Sequence, residues 1–282
     1  MRISKGFVMG DTLLQKRATT GRNVMLPASR KELLLQRLRH DGRIVAKEIA
    51  DELGLSEDSI RRDLRELDEA GLAVRVYGGA LPASPAVADY AARTAVAPES
   101  KRRVAATAAA LIKPGATVIL DGGTTTLAMV DAIPRTFQGT IITHSPTVAA
   151  ALLNHEAEVL LIGGQLFKHS AVACGAAAVE AANRISADLF FLGVTGVHAT
   201  TGLTTGDADE AAMKRTLASR AAETFVLASE EKIGAASRYG VLPFAEVAGI
   251  VTDVATSDPT ARELVAAGAR LVHAQRKRAA KA

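Results

Sequence analysis

Six short apolar segments in the second half of the chain restrict its fold more than any other feature. They are "ATVILDGG", "GTIITHS", "AEVLLIGG", "ADLFFLGVTG", "ETFVLASEE" and "VAGIVTD", and glycine, serine, threonine or an acid closes each one. Alanine-rich stretches with helical spacing separate most of them. A strand that is apolar on both faces must be covered on both faces, and strands that alternate with helices join in parallel. Residues 99–275 are therefore expected to form an α/β domain with a mostly parallel sheet. Ligands of such sheets bind beyond the carboxyl ends of the strands, so the polar residues that close the strands are the place to look for a site.

Residues 29–82 follow a helical rhythm. Ser29 and Glu32 have capping-box spacing. Leu33, Leu34, Leu35 and Leu38 give an apolar face, and Asp41-Gly42 stops the helix. A short extended stretch at Arg43–Val45 leads to a second helix, with Ile49, Ala50 and Leu53 inward and Gly54 at its end. Ser56 caps a third helix whose Ile60, Leu64 and Leu67 form a buried stripe; Gly71 ends it. "LAVRVYGGALPA" then alternates into a hairpin with Gly78-Gly79 at its tip. Three short helices, a tight turn between the last two, and a hairpin are the order of a winged helix-turn-helix. Residues 83–98, with their prolines and alanines, read as a linker. Residues 1–28 lack periodicity and read as a flexible tail, with Met25 just ahead of the first helical pattern as a second candidate start. Residues 276–282 read as a basic tail.

The formal net charge of +4 is not by itself a signature of nucleic-acid binding. The first 28 residues hold five Lys/Arg against one acid, whereas residues 29–82 hold ten against eleven. An argument for nucleic acid must rest on where the arginines sit. The single cysteine, Cys174, excludes an internal disulfide framework and fits a reducing cytoplasm; it is expected to be a small buried residue. No apolar run is long enough to span a membrane, and none marks a secretory signal.

With Ile60, Leu64 and Leu67 inward, the third helix turns Asp58, Ser59, Arg62 and Arg65 outward, with Arg61 on a flank. Arginine presents a planar fork to guanine edges and phosphates. Ser56 and Ser59 lie near the helix start, where hydroxyls bond phosphate or a base edge. Arg75 and Tyr77 on the hairpin can meet the DNA backbone or minor groove. The plain alternative is a solvated face, with Arg61 pairing Glu57 or Arg65 pairing Glu69. The capped turn, the preceding helix and the following hairpin favour DNA. Operator DNA is the expected partner, read by a dimer or tetramer, because paired half-sites need paired readers.

In the second domain "LDGGTTT" places Asp121, Gly122, Gly123, Thr124, Thr125 and Thr126 between a strand and a helix that starts near Leu127. Glycines let backbone amides crowd an anion, threonine hydroxyls add donors, and a helix amino-terminus adds a favourable partial charge. Gly163-Gly164 and Thr195-Gly196 close two further strands. Lys232 follows another strand and is either a phosphate partner or a solvated lysine. Glu210 and Lys214, four apart, have the spacing of an intrahelical pair. His169 and His198 have no metal-ligand spacing with carboxylates, so neither a metal nor a cofactor is expected.

"GRIVAKEIADELGLSEDSIRRDLRELDEAGLAVRVYGGA" closely resembles the DNA-binding half of the DeoR family of bacterial repressors, most specifically in "SIRRDL" and in the "GGA" after the wing. Ser59 stands where the family usually has Thr. The resemblance continues through "ESKRRVAATAAALIKPGATVILDGGTTT", "ITHS", "LLIGGQL", "ADLFFLGVTGV", "EAAMKR" and "VLASEEKIG", and covers roughly residues 30–255. It implies a repressor whose second domain, related to ribose-phosphate isomerase, senses a phosphorylated sugar or polyol. It favours a ligand role for Lys232, and a role for Glu210 and Lys214 in closing the site. His144 stands where the family commonly has Asn, and either lines the pocket or is structural. The rival reading is an active sugar-phosphate isomerase or deaminase with a DNA-binding appendage. That chemistry needs a carboxylate to move protons. The similar isomerases carry an Asp-rich loop after the strand matching "ADLFFLG". Here that loop is "GVTGVH", which leaves Asp121 as the remaining candidate base. "GDADE" at 206–210 lies further downstream. A sensor is the expectation.

Overall fold

The structure, a computed structural model, describes residues 25–87 and 90–274. The expected tails lie outside these residues except for positions 25–28, of which Leu26 caps the first helix and Pro27 and Ala28 belong to it.

That helix, α1 (Pro27–Asp41), begins two residues before the expected Ser29 cap, with Leu26 in the capping position. Proline suits the first turn because its missing N–H is one the helix cannot use there. Ser29 therefore lies inside the helix. There follow β1 (Ile44–Val45), α2 (Ala46–Leu53), α3 (Glu57–Glu69), β2 (Ala73–Val76) and β3 (Gly79–Pro82). The strands form a small antiparallel sheet in the order β1-β3-β2. Its tip is Tyr77-Gly78, so Gly79 sits inside β3 and not at the expected turn. Glycine is needed there by the close pass of β1: a Cβ on residue 79 would lie 1.7 Å from the carbonyl oxygen of Ile44. Leu34, Leu38, Ile44, Ile49, Ile60, Leu64 and Leu67 close one core beneath this unit.

The segment read as a linker is more structured than expected. It holds a single 3-10 turn at Pro85–Val87, the helix α4 (Tyr90–Ala95) and the start of α5 (Pro98–Ala109). Ser84 is buried; its amide donates to the carbonyl of Ala236 at 3.3 Å and its hydroxyl to that of Thr195 at 2.5 Å. The chain leaving the wing is thus tied at once to the second domain.

That domain continues with β4 (Thr117–Leu120), α6 (Thr124–Ala132), β5 (Thr140–Thr143), α7 (Pro146–Ala151), β6 (Glu158–Leu161), β7 (Gln165–Phe167), β8 (Val172–Cys174), α8 (Ala176–Ala182) and β9 (Ala187–Gly193). It is completed by β10 (Gly196–His198), β11 (Gly202–Thr205), α9 (Ala208–Ser219), β12 (Ala221–Leu227), β13 (Tyr239–Gly240), β14 (Gly249–Thr252), α10 (Pro259–Ala266) and β15 (Leu271–His273). Seven strands form one parallel sheet, ordered β15-β14-β12-β9-β4-β5-β6. Neighbouring residues of one strand serve opposite faces. Val118, Leu120, Leu189 and Phe191 pack with α5, α6 and α7, while Ile119, Phe190 and Leu192 pack with α8, α9 and α10. This double cover explains the unbroken apolar strands. The edge strands depart from this: β15 is only half-buried, and all four residues of β6 are exposed, with Leu161 at 50 %. Cys174 is buried, as expected. No described helix is long and apolar enough to cross a membrane.

Candidate functional site

The first candidate surface is the outer face of α3. Ile60, Leu64 and Leu67 are buried, which turns Asp58, Arg61, Arg62 and Arg65 to solvent. The Ser56 hydroxyl accepts the Ser59 amide at 3.3 Å, and the two serine hydroxyls lie 2.9 Å apart. Buried Asp63 pairs with Arg30 of α1 and fixes α3 against it. For Arg61 the plain alternative holds in the unbound protein: its guanidinium donates to Glu57 Oε1 at 2.6 Å. Arg62 and Arg65 form no ion pair among the described residues. Arg75 is exposed on the wing, and Tyr77 stands fully exposed at its tip. Arg62→Ala is expected to weaken specific operator binding by about 1–3 kcal/mol if the side chain forks onto a base edge. Melting should not change, because the side chain lies off the buried stripe. Gel-shift titrations with operator and scrambled DNA check this, and unchanged affinity for both removes Arg62 from the interface.

The second site lies in the α/β domain where the sheet order reverses. From β4 the chain builds outward to β5 and β6, then crosses back to place β9 on the other side of β4. The crevice at the carboxyl ends of β4 and β9 is therefore the switch point of this sheet, where ligands of open α/β sheets bind. A narrow cleft opens there. Gly122 to Thr126 line it from the end of β4, Gly193 to Thr195 from the end of β9, and Glu231 and Lys232 from the end of β12.

Gly123 (φ +118°) starts α6 in a backbone conformation that suits glycine, and no side chain caps the helix. The first intrahelical bond runs from the Leu127 amide to the Gly123 carbonyl. The amides of Thr124, Thr125 and Thr126 precede that bond and have no acceptor within the helix. Lys232 is buried; its ammonium donates to Thr125 Oγ1 at 3.0 Å and to the Leu227 carbonyl at 3.3 Å, which leaves one N–H bond. Burial pushes its pKa down to about 8; Glu231 opposes the shift, while Lys101, Arg93 and Lys214 add to it. Lys101, on α5, is also buried and depressed by burial, and donates to the Arg93 carbonyl at 2.5 Å. Thr126 Oγ1 and Glu231 Oε2 are buried atoms of the lining without a hydrogen-bond partner among the described residues.

Behind the cleft, Asp121 is fully buried. Its Oδ1 accepts from the Gly122 amide (2.8 Å) and from His144 Nε2 (2.7 Å). Its Oδ2 accepts from the Gly193 amide (2.8 Å) and Lys214 Nζ (2.6 Å). Burial alone would raise this carboxyl, but the Lys214 ammonium and the His144 bond outweigh it and hold Asp121 far below the usual range. Lys214 is raised in turn: Asp121 and Glu210, the latter 3.3 Å away, overcome its own burial. Glu210 Oε2 also accepts the Thr205 hydroxyl at 2.7 Å.

The cleft thus gathers Gly122, Gly123, Thr124, Thr125, Thr126, Thr195, Glu210, Lys214 and Lys232 from the residues singled out by sequence. It leaves out five others. Asp121 and His144 lie behind the lining, and His144 is structural: it ties the Ala173 carbonyl (2.8 Å) to Asp121. Gly163 and Gly164 follow β6, at the sheet edge two strands from β4, and are not in the lining. Gly196 belongs to β10, outside the lining. Arg93, Lys101, Ser170, Thr205 and Glu231 line the cleft without having been picked out. Lys101 stands in the charged run "SKRR", which carries no local sign of burial, and the packing of α5 buries it. Glu231 had a signal, its place beside Lys232 at a strand end. His169 and His198 form no metal site, and no described group of three or more His, Cys, Asp or Glu is placed to hold an ion.

A helix-turn-helix reader joined to an α/β domain with a cationic cleft defines a DNA-binding transcriptional regulator with a ligand-sensing domain. The chain belongs to the DeoR family: residues 30–85 match the DeoR-like helix-turn-helix domain and residues 96–254 the DeoR C terminal sensor domain. It is 34 % identical to the HTH-type transcriptional regulator GlpR of Haloferax volcanii, over 88 % of this chain and 98 % of the relative. It is 27 % identical to the Glycerol-3-phosphate regulon repressor of Escherichia coli K12, over 81 % of this chain and 92 % of the relative. Among solved structures, ribose 5-phosphate isomerase A of Methanocaldococcus jannaschii overlaps at a TM-score of 0.35 and 20 % identity, covering 47 % of this chain and 52 % of that one. An overlap that loose carries no argument about function.

Proposed function

We propose that the protein represses a sugar or polyol catabolic operon and that a phosphorylated sugar or polyol, bound in the cleft, releases it from its operator. The observation that carries this reading is the buried Lys232 ammonium beside Thr125 at the uncapped start of α6, at the switch point of the sheet. Cationic donors and helix-start amides around one small volume suit a phosphate monoester. The relatives named as regulators and as a glycerol-3-phosphate regulon repressor support it. A route to the wing exists in the fold. Thr195 lines the cleft and accepts the Ser84 hydroxyl, and Ser84 lies two residues after β3. A dimer or tetramer reading paired half-sites belongs to the same proposal. The isomerase or deaminase alternative is weaker. The four hydrogen bonds to Asp121 occupy the lone-pair positions a general base needs.

The test is operator release by phosphorylated sugars and polyols in a gel shift, with calorimetry across pH. Below about pH 8 Lys232 carries its charge and, above the phosphate's second pKa near 6, the ligand is a dianion. Above about pH 8 the free protein gives up that proton, and binding must take it back. Affinity is therefore expected to hold level near neutrality and to fall by up to roughly tenfold per pH unit above it. An affinity that stays constant between about pH 7 and pH 9 removes Lys232 from the contact. Conversion of the ligand to an isomer at an enzymatic rate replaces the sensor reading with the enzyme.

A further inference from the structure

This inference rests on the reading of the cleft as a phosphate-ester site and concerns what else the ligand must carry. Glu231 sits next to Lys232 and its side chain is only 7 % exposed. Its Oε1 accepts the Ser229 hydroxyl at 2.8 Å and lies 3.9 Å from the Lys101 ammonium. Its Oε2 is buried in the lining with no hydrogen-bond partner among the described residues. A buried carboxylate oxygen left unpaired is costly, and such an atom in a native structure calls for a partner.

A phosphate dianion has no proton to give, so it cannot be that partner, and the carboxylate repels it. The phosphate is thereby confined to the Thr124–Thr126 and Lys232 side of the cleft, and Oε2 is left facing whatever the phosphate is esterified to. The same repulsion bounds the rest of the ligand: a second phosphate or a carboxylate placed at Oε2 would meet the Glu231 carboxylate charge to charge, whereas a hydroxyl can donate to it.

We infer that Glu231 is the specificity-determining residue of the cleft: its free carboxylate oxygen accepts a hydroxyl of a singly phosphorylated polyol or sugar, and turns away bisphosphates and phosphorylated acids. Thr126 Oγ1, a buried lining atom with no hydrogen-bond partner among the described residues, is placed to exchange a hydrogen bond with the same ligand. Selectivity of this kind is strong because a ligand lacking the hydroxyl leaves the buried oxygen unpaired.

The experiment compares wild type, Glu231→Gln and Glu231→Ala by calorimetric titration and thermal shift. The probes are inorganic phosphate, glycerol 3-phosphate, ribose 5-phosphate, glucose 6-phosphate, fructose 1-phosphate, fructose 1,6-bisphosphate and 3-phosphoglycerate. In wild type the best monophosphate is expected to bind at least about tenfold tighter than inorganic phosphate, and tighter than the bisphosphate or the phosphorylated acid. Both variants should lose most of that advantage, hold or gain affinity for inorganic phosphate, and gain affinity for 3-phosphoglycerate. Both are expected to melt somewhat below wild type, because the buried Lys101 ammonium loses the carboxylate 3.9 Å away, so binding is compared at a temperature where all three proteins are folded. Equal losses for inorganic phosphate and the best monophosphate, an unchanged preference among the probes, or a bisphosphate as the tightest wild-type ligand overturns the assignment of Glu231 and leaves the phosphate site standing. If wild type binds none of the probes, inorganic phosphate included, the phosphate-ester reading falls and this inference falls with it.

Discussion

Lys214→Ala is expected to melt roughly 6–20 °C below wild type. Lys214 and Asp121 are both buried and stand 2.6 Å apart. Removing the lysine strands the carboxylate away from water with His144 and two amides for support, and breaking a buried pair from one side costs about 3–5 kcal/mol. A domain of this size loses about 2–4 °C per kcal/mol. The acid limb checks the cause. Asp121 is held far below its usual range in the wild type, so its stabilising contribution is complete above the ordinary aspartate pKa and is lost as pH falls below it. The gap between wild type and variant should therefore narrow below about pH 4. Changing both partners, Asp121→Asn with Lys214→Met, should recover part of the loss, since no charge is then left buried alone. A single variant that melts with the wild type at neutral pH would show that the pair is not what holds the β4 and β9 ends together.

Lys232→Ala is expected to need roughly ten- to hundredfold more effector for half-release of operator DNA. One charge-assisted contact to phosphate is worth about 1.5–3 kcal/mol. A ligand shifts an equilibrium only by its differential affinity for the two forms, and tenfold release takes about 1.4 kcal/mol of it. Losing that single contact therefore removes most of the response at a given ligand level. DNA affinity without effector should be unchanged, because the helix-turn-helix packs around its own core of Leu34, Ile60 and Leu64. Folding should hold as well: burial already opposes the charge on Lys232, so the uncharged variant avoids that cost. Changing Thr124 and Thr125 together to Ala should give the same phenotype, and in cells these variants should behave as non-inducible repressors. Gel shifts at fixed operator and rising effector supply the measurement. Release at the wild-type midpoint would show that this loop does not bind the effector.

The chain sequence alone determined those features that depend on a residue's near neighbours. The stripe Ile60, Leu64 and Leu67 sets which way the α3 arginines point, because a helix repeats every 3.6 residues whatever surrounds it. The apolar strands signalled a parallel sheet, and their polar ends signalled the Gly122–Thr126 loop and Lys232, because strand burial and turn chemistry are local. The start of α1 was missed for a local reason too: Pro27 competes with Ser29 for the first turn, and Pro27 prevails.

What only the tertiary structure decided was which strand ends meet. The strand order sets β4 beside β9 and sends β6 to the edge, so Gly193 and Thr195 join the Gly122–Thr126 loop while Gly163 and Gly164, which share the local pattern of glycines at a strand end, are left out of the lining. The same crossover brings Lys214 to Asp121 across 93 positions, and His144 to Asp121 across 23, turning an apparent catalytic candidate and an apparent pocket residue into a buried brace. Lys101 and Glu231 enter the cleft because α5 and the end of β12 pack there. No periodicity in a sequence encodes such a meeting, since the free energy of a contact depends on the distance in space that folding creates.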